Sequence, residues 1–406
     1  MPVVVVAVCA FVATYVALDL NVVYALRENQ NTGLYLQTLV DLIRHGSAFN
    51  WGDHRPFLVK AHDEWIVLAL VPFVALWPRP ETLLVAQVVL IGVAAIPLYS
   101  FARRCGATPA TGACIAIAYL ICPSVQGFAY HAFVPTHFIP LLAFALAYFA
   151  HRRSLAGVLV CAQLLMATKE DLIWFLAWFA AFGAWFYDRR LSLAVLALAA
   201  VNAVGYYGYE TLRGVAPTRP SYGLTDAEWP QQVAFLAEIL APFAFAPLAL
   251  RWRVLLAAPL LFELFFPQKY LPFVIYSAGS YYTEALVTLV AIGAAIVLAR
   301  RVLWARAALG CAVVMALFFN TTVLHLGRHP FARDPQYDTA RSWALREQPV
   351  DFPCRDEGAW TVAAANVDAR IVGCDAPGPA GRPAWHDEPL DSQAAWTRGP
   401  AASERR

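Results

Sequence analysis

Residues 81–104 read ETLLVAQVVLIGVAAIPLYSFARR, a long apolar run closed by Arg103-Arg104. About 20 apolar residues, each rising 1.5 Å along a helix, cross the roughly 30 Å hydrocarbon layer of a bilayer. An arginine pair at the end of such a run stops it at the interface. The arrangement recurs at Arg152-Arg153, Arg189-Arg190, Arg251/Arg253 and Arg300/Arg301/Arg306, each separated from the last by about two membrane lengths of apolar sequence. Short basic loops are retained on the cytoplasmic side, so clusters in every second loop predict that all five face the cytoplasm. The loops between them then face outward. These hold Glu28, Asp53, His54, His62, Asp63, Glu64, His131, His137, Lys169, Glu170, Asp171, Glu210 and Glu228.

Composition agrees. Apolar residues make up 60% of the 406 positions and charged residues 14%, against about 25% charged in a soluble domain. The net charge of +2 is too small, and the basic residues too dispersed, for a nucleic-acid partner. Cys9, Cys105, Cys114, Cys122, Cys161 and Cys311 lie in or beside apolar segments without metal or redox spacing and read as small buried hydrophobes. Cys354 and Cys374 fall in the tail that the topology places outside, where disulfides persist, and are expected to pair.

The spacing predicts an all-α polytopic membrane protein of about eleven spans. The first helix, 3–26, lacks a basic leader segment and a small-residue cleavage site, so it reads as an uncleaved anchor. A long first outward region, 27–80, follows: a polar loop to residue 64, then Trp65–Trp77, too short to span and read as interfacial or re-entrant. Further spans are expected at 81–102, 110–127, 136–150, 154–168, 172–187, 191–210, 232–250, 254–267, 282–299 and 307–324. Each inward-running span in this count ends at one of the five arginine clusters. The transmembrane domain is thus 1–324, and 325–406 is a small extracytoplasmic tail. In the tail 336–347 suggests a helix, Trp360–Ala364 with Ala369–Cys374 two short strands, and the prolines and glycines after Asp375 a disordered end.

Three adjacent charges, Lys169-Glu170-Asp171, sit between apolar segments of only about fifteen residues. Charges at the bilayer centre cost roughly 2.5–3.5 kcal/mol each on insertion scales, which places the trio at the outer interface or in a wet recess. Two readings stand: a hairpin tip in which a carboxylate neutralises Lys169, or a cavity mouth in which Lys169 holds a phosphate. The first outward loop carries His-Asp pairs within Asp53-His54 and His62-Asp63, beside Lys60, groups suited to a general base or to a divalent metal. Solvated loop polarity is the plainer alternative. His131 and His137 flank an outward turn, and their convergence with these clusters is the sharper expectation. Among acids within spans, Asp19 and Glu284 are expected near enough to the outer surface to be wet, and Glu263 to face the bundle interior and pair or be protonated. Tyr282 and Glu284 border an outward loop whose aromatics suit a sugar or headgroup, unless they form an ordinary aromatic belt.

The order of parts resembles a group of prokaryotic multi-pass membrane proteins of unknown function, itself similar to the GT-C superfamily of polyprenyl-phosphate-sugar-dependent glycosyltransferases. The matching stretches are Asn31-Thr32-Gly33-Leu34-Tyr35-Leu36-Gln37, Ala61-His62-Asp63-Glu64-Trp65, Val71–Pro78, Pro80-Glu81-Thr82-Leu83-Leu84, Phe133-Val134-Pro135 and Thr168-Lys169-Glu170-Asp171. The resemblance implies a bundle of helices whose long first outward loop carries a catalytic acid acting as base on the acceptor, with basic side chains on the lipid phosphate. Here the expected acid after the first helix is Asn31, and the family's Phe-His-Pro-Glu turn reads Phe133-Val134-Pro135-Thr136. A relocated acid, Glu28, Asp53 or Asp63, would then be needed, or activity would be lost with the fold kept.

On that resemblance the expected function is transfer of a sugar from a polyprenyl-phosphate donor to a glycan or lipid acceptor, outside the plasma membrane. Asp63 or Asp53 would be base, with His62 orienting or holding a divalent metal. Lys169 and Lys60 would contact phosphate. Glu170, Asp171, His131, His137, Glu284 and Tyr282 would orient or bind substrate. The rivals are a transporter or lipid-carrier flippase, and a catalytically inactive scaffold or sensor.

Overall fold

A computed structural model describes residues 1–25, 28, 30–46, 49–50, 55–56, 64–212, 229–265, 283–319, 350–353 and 369–372. Among them four helices are long and apolar enough to cross a membrane: Pro2–Tyr24, Pro80–Arg104, Arg189–Gly208 and Val302–Phe319. Pro109–Leu120 and Pro123–Ala129 make a fifth if taken as one span bent by 57°. The chain is a helical membrane protein. The eleven expected crossings are not all present as helices of that length, since Leu155–Met166, Asp171–Gly183 and Glu284–Leu298 are shorter apolar helices.

The chain forms two compact units. The first comprises Met1–Ala13, Val88–Tyr130 and Pro135–Leu326. In it Ala95–Arg104 packs on Pro109–Leu120 and Ile139–His151, and Leu155–Met166 packs on Ile139–His151. Asp171–Phe186 and Arg189–Leu212 pair as a hairpin. Asp188 caps the second of these, its Oδ1 accepting from the backbone N–H of Arg190 at 3.0 Å and of Leu191 at 3.1 Å. Glu284–Leu298 lies against Ile139–His151 and Pro109–Leu120 and is buried around most of its circumference, as its even apolarity dictates. Thr108 caps Pro109–Leu120 through its hydroxyl, with Pro109 in the first turn where no N–H is needed.

The arginine clusters gather at one end of this unit. Arg104 and Arg152 both lie over the Tyr148 ring, at 5.4 and 5.8 Å from its centroid. Arg153 faces Asp188 at 3.8 Å, beside Arg189-Arg190, and Arg300 approaches the backbone at Gly106. Four clusters read as stops in separate loops are therefore neighbours in space, which the alternating topology requires.

Two expected spans are interrupted. The run 110–127 breaks at Ile121-Cys122, because Pro123 supplies no N–H to continue the ladder and pushes Cys122 into extended backbone. The run 232–250 is helical only over Trp229–Leu240. A tight turn at Ala241–Phe243 follows, then left-handed Ala244 and Phe245, and a 3-10 segment Ala246–Ala257. Pro242 and Pro247 account for the break. Arg251, where the chain was expected to reverse, has non-helical backbone at φ 55°.

The second unit comprises Thr14–Gln87, His131–Val134 and Gly327–Arg406. Here the expected polar loop after the first helix is corrected, for residues Gln30–His45 form a helix. Its buried Tyr35, Leu36, Leu39 and Val40 make one apolar face, which packs on Val71–Leu76. Trp65–Leu70 is a 3-10 turn running into that short helix, and Trp65–Leu76 is, as expected, shorter than a span. In the tail Ala369–Val372 is a strand, but its partner is Val350–Pro353 in parallel register, and residues 360–364 lie outside the described residues. So do 336–347, Cys354 and Cys374.

Candidate functional site

Five carboxylates are buried in the second unit: Asp19, Glu28, Asp41, Glu64 and Glu81. Three are tied into a hydrogen-bonded frame. Thr32, in the first turns of Gln30–His45, donates from Oγ1 to Glu28 Oε1 at 2.6 Å and accepts from the backbone N–H of Phe133 at 2.9 Å. One turn on, the Tyr35 hydroxyl donates to Glu64 Oε2 at 2.8 Å while its ring meets Phe133 edge-on at 5.4 Å. Gln87 donates from Nε2 to Asp19 Oδ2 at 3.1 Å and to the His131 carbonyl at 2.5 Å. The turn 131–133 is thus held by both Gln87 and Thr32. Asp19 was expected to be wet but is 3% exposed, because Gln87 replaces water as its donor.

The helix Gln30–His45 explains this arrangement. It puts Thr32 and Tyr35 three residues apart on one face, so one element fastens Glu28 and Glu64 together. Asn31, the position where the resemblance expected an acid, is half-buried on the same first turn, three residues after Glu28.

A second site lies in the first unit. His137 Nδ1 and Glu284 Oε1 are 2.6 Å apart, and neither side chain is exposed at all. Glu284 was expected to be wet, yet it opens a helix that packs against several others, so helix packing excludes water there. His137 stands one residue beyond the Phe133-Val134-Pro135-Thr136 turn, which itself holds no ionisable side chain. His131 belongs to the second unit, with its Nδ1 3.4 Å from the Ala132 carbonyl.

At Lys169-Glu170-Asp171 the ammonium of Lys169 pairs with Asp171 at 2.7 Å. Burial alone would lower the lysine pKa, but Asp171, then Glu170 and Glu263, more than offset it and hold the group above its usual value. Glu263 is half-buried and close enough to act on Lys169. Lys169 is therefore a charged, carboxylate-bound lysine.

Residues 30–207 match a family model described as predicted membrane protein (DUF2079). That is where the chain is similar to a known family. The matched stretch takes in Gln30–His45, Glu64, Gln87, His131, His137 and Lys169-Glu170-Asp171, and leaves out Asp19, Glu28 and Glu284. No curated protein matches the chain.

Asp53, His54, Lys60, His62, Asp63 and Tyr282 lie outside the described residues. Among the described residues no three His, Cys, Asp or Glu side chains group as metal ligands. Sequence reasoning did not single out Gln87, Thr32 or Tyr35. Gln87 carried a signal, as the one amide inside the apolar run 83–96. Thr32 and Tyr35 acquire meaning only once residues 30–45 are helical.

Proposed function

We propose that the chain is a membrane-embedded transferase of the GT-C kind, moving a sugar from a polyprenyl-phosphate donor to a glycan or lipid acceptor on the extracytoplasmic face of the plasma membrane. The observation that carries the reading is Glu28, a buried carboxylate fastened by Thr32 immediately before the helix where the resemblance places the catalytic acid. Glu28 takes the role of base. It accepts the proton of an acceptor hydroxyl as that oxygen bonds to the sugar's C1, while the bond from C1 to the phosphate oxygen breaks and polyprenyl phosphate leaves with the electron pair. Asp53 and Asp63 are the other acids able to fill this role. Lys60 would meet the phosphate, and His62 would orient substrate, with a divalent metal at His62 and its neighbouring acid as an option.

The transporter reading is favoured by one observation, the fully buried His137–Glu284 pair, since such pairs mark ion pathways in membrane proteins. The transferase reading is tested by the glycolipid profile of a deletion strain. A lipid-linked sugar should accumulate, and the wild-type gene but not the Glu28→Gln variant should clear it. An unchanged profile on deletion, or full complementation by Glu28→Gln at equal expression, counts against the proposal.

A further inference from the structure

We propose that the buried end of the helix Glu284–Leu298 is a binding site for one small, dehydrated alkali-metal cation, with Glu284 as its charged ligand. The site lies in the first unit and goes beyond the sugar-transfer reading, which rests on carboxylates of the second.

Glu284 uses one carboxylate oxygen on His137. Its other oxygen, Oε2, is buried and has no partner among the described residues. The same holds for Thr288 Oγ1, one helical turn further along the same face. It holds also for Thr136 Oγ1, beside His137 in sequence, and for Ser124 Oγ on Pro123–Ala129, which packs against Glu284–Leu298. Buried polar atoms are nearly always satisfied, and each orphan costs about 1–3 kcal/mol. Four on this helix and on the two segments in contact with it call for a ligand.

Chemistry selects its class. All four atoms are oxygens, one from a carboxylate and three from hydroxyls able to turn their lone pairs inward, the donor set of a hard cation. The carboxylate repels anions. The complete burial of Glu284 and His137 admits only something ion-sized. Glu284 is the one carboxylate among the four, so they bring at most a single negative charge, which a monovalent cation balances and a divalent one overshoots.

The test is thermal unfolding of the purified full chain in detergent, in lithium, sodium, potassium or choline chloride at matched ionic strength. At least one alkali cation should raise the midpoint over choline in a saturable way, by about 5 °C when well above its dissociation constant. Thr288→Val, which removes one ligand and keeps the shape, should weaken the apparent affinity about tenfold or more, and Glu284→Gln should abolish the response. Identical midpoints in all four salts overturn the proposal, since water would then satisfy the same atoms. A full response retained by Thr288→Val or by Glu284→Gln overturns it too. Should Glu284→Gln not fold, Thr288→Val alone decides. These melts read binding without any sugar donor, so their outcome is independent of transfer activity.

Discussion

Gln87 is a lone amide in an apolar run, and its two donors go to Asp19 and to the His131 carbonyl. Replacing it by leucine would suit the helix and strand both acceptors. Gln87→Leu is expected to destabilise by about 2–4 kcal/mol, read as a lower unfolding midpoint, with Gln87→Glu no better because it sets a second carboxylate against Asp19. A midpoint for Gln87→Leu at or above the wild-type value would rule out the frame described. Lys169 gives a prediction with a pH signature. Folding raises its pKa, so its contribution is in full below the unfolded lysine value of about 10.4 and fades only as pH climbs through the still higher folded value. Lys169→Met should therefore cost about 1–3 kcal/mol, by an amount that is flat from about pH 6 to about pH 9 and shrinks only above. A deficit that vanishes near neutral pH would mean that Lys169 is not held by Asp171. At this scale the sequence was legible in part. It exposed Lys169, Glu170 and Asp171 as a group and Glu284 as a costly acid, but the bond between His137 and Glu284 joins residues far apart in the chain, and no local pattern encodes it.

At the scale of elements, packing between helices depends on residues with no side chain to give. A Cβ on Gly157 would run into the Phe149 ring, so the turn joining Ile139–His151 to Leu155–Met166 closes only around a glycine. Gly157→Ala is expected to lower stability by about 1–3 kcal/mol, and a further Phe149→Leu change to recover part of it. A neutral Gly157→Ala would show that the two helices pack further apart. The span at 2–24 was legible from hydropathy alone, and that at 80–104 because hydropathy and the closing Arg103-Arg104 agree there. The helix Gln30–His45 was missed because its polar residues, Gln30, Asn31, Gln37, Asp41 and Arg44, read as a solvated loop, although Tyr35, Leu36, Leu39 and Val40 already carried helical spacing. The breaks at Pro123 and Pro242 were also written in the sequence, in prolines that a hydropathy average passes over.

For the whole molecule, the first unit gathers four arginine clusters at one end, as expected if those loops share a side of the membrane. A fluorescent reporter that matures only in the cytoplasm, fused after Arg190, should fluoresce, and one fused after Thr168 should not. The reverse pattern would turn this unit over and contradict the expected sidedness of its loops. The helices Arg189–Leu212 and Val302–Phe319 expose Val201, Val204, Leu303, Leu317 and Phe318, a surface suited to lipid. The central claim is that Glu28 is the base of a sugar transfer. It is tested most directly by purified protein in lipid, supplied with polyprenyl-phosphate sugar and a glycan or lipid acceptor, with transfer measured for wild type and Glu28→Gln. Transfer that falls by about 100-fold or more in Glu28→Gln, with the unfolding midpoint unchanged, is the predicted result. No transfer by the wild type from any such donor, or equal transfer by the variant, would contradict it.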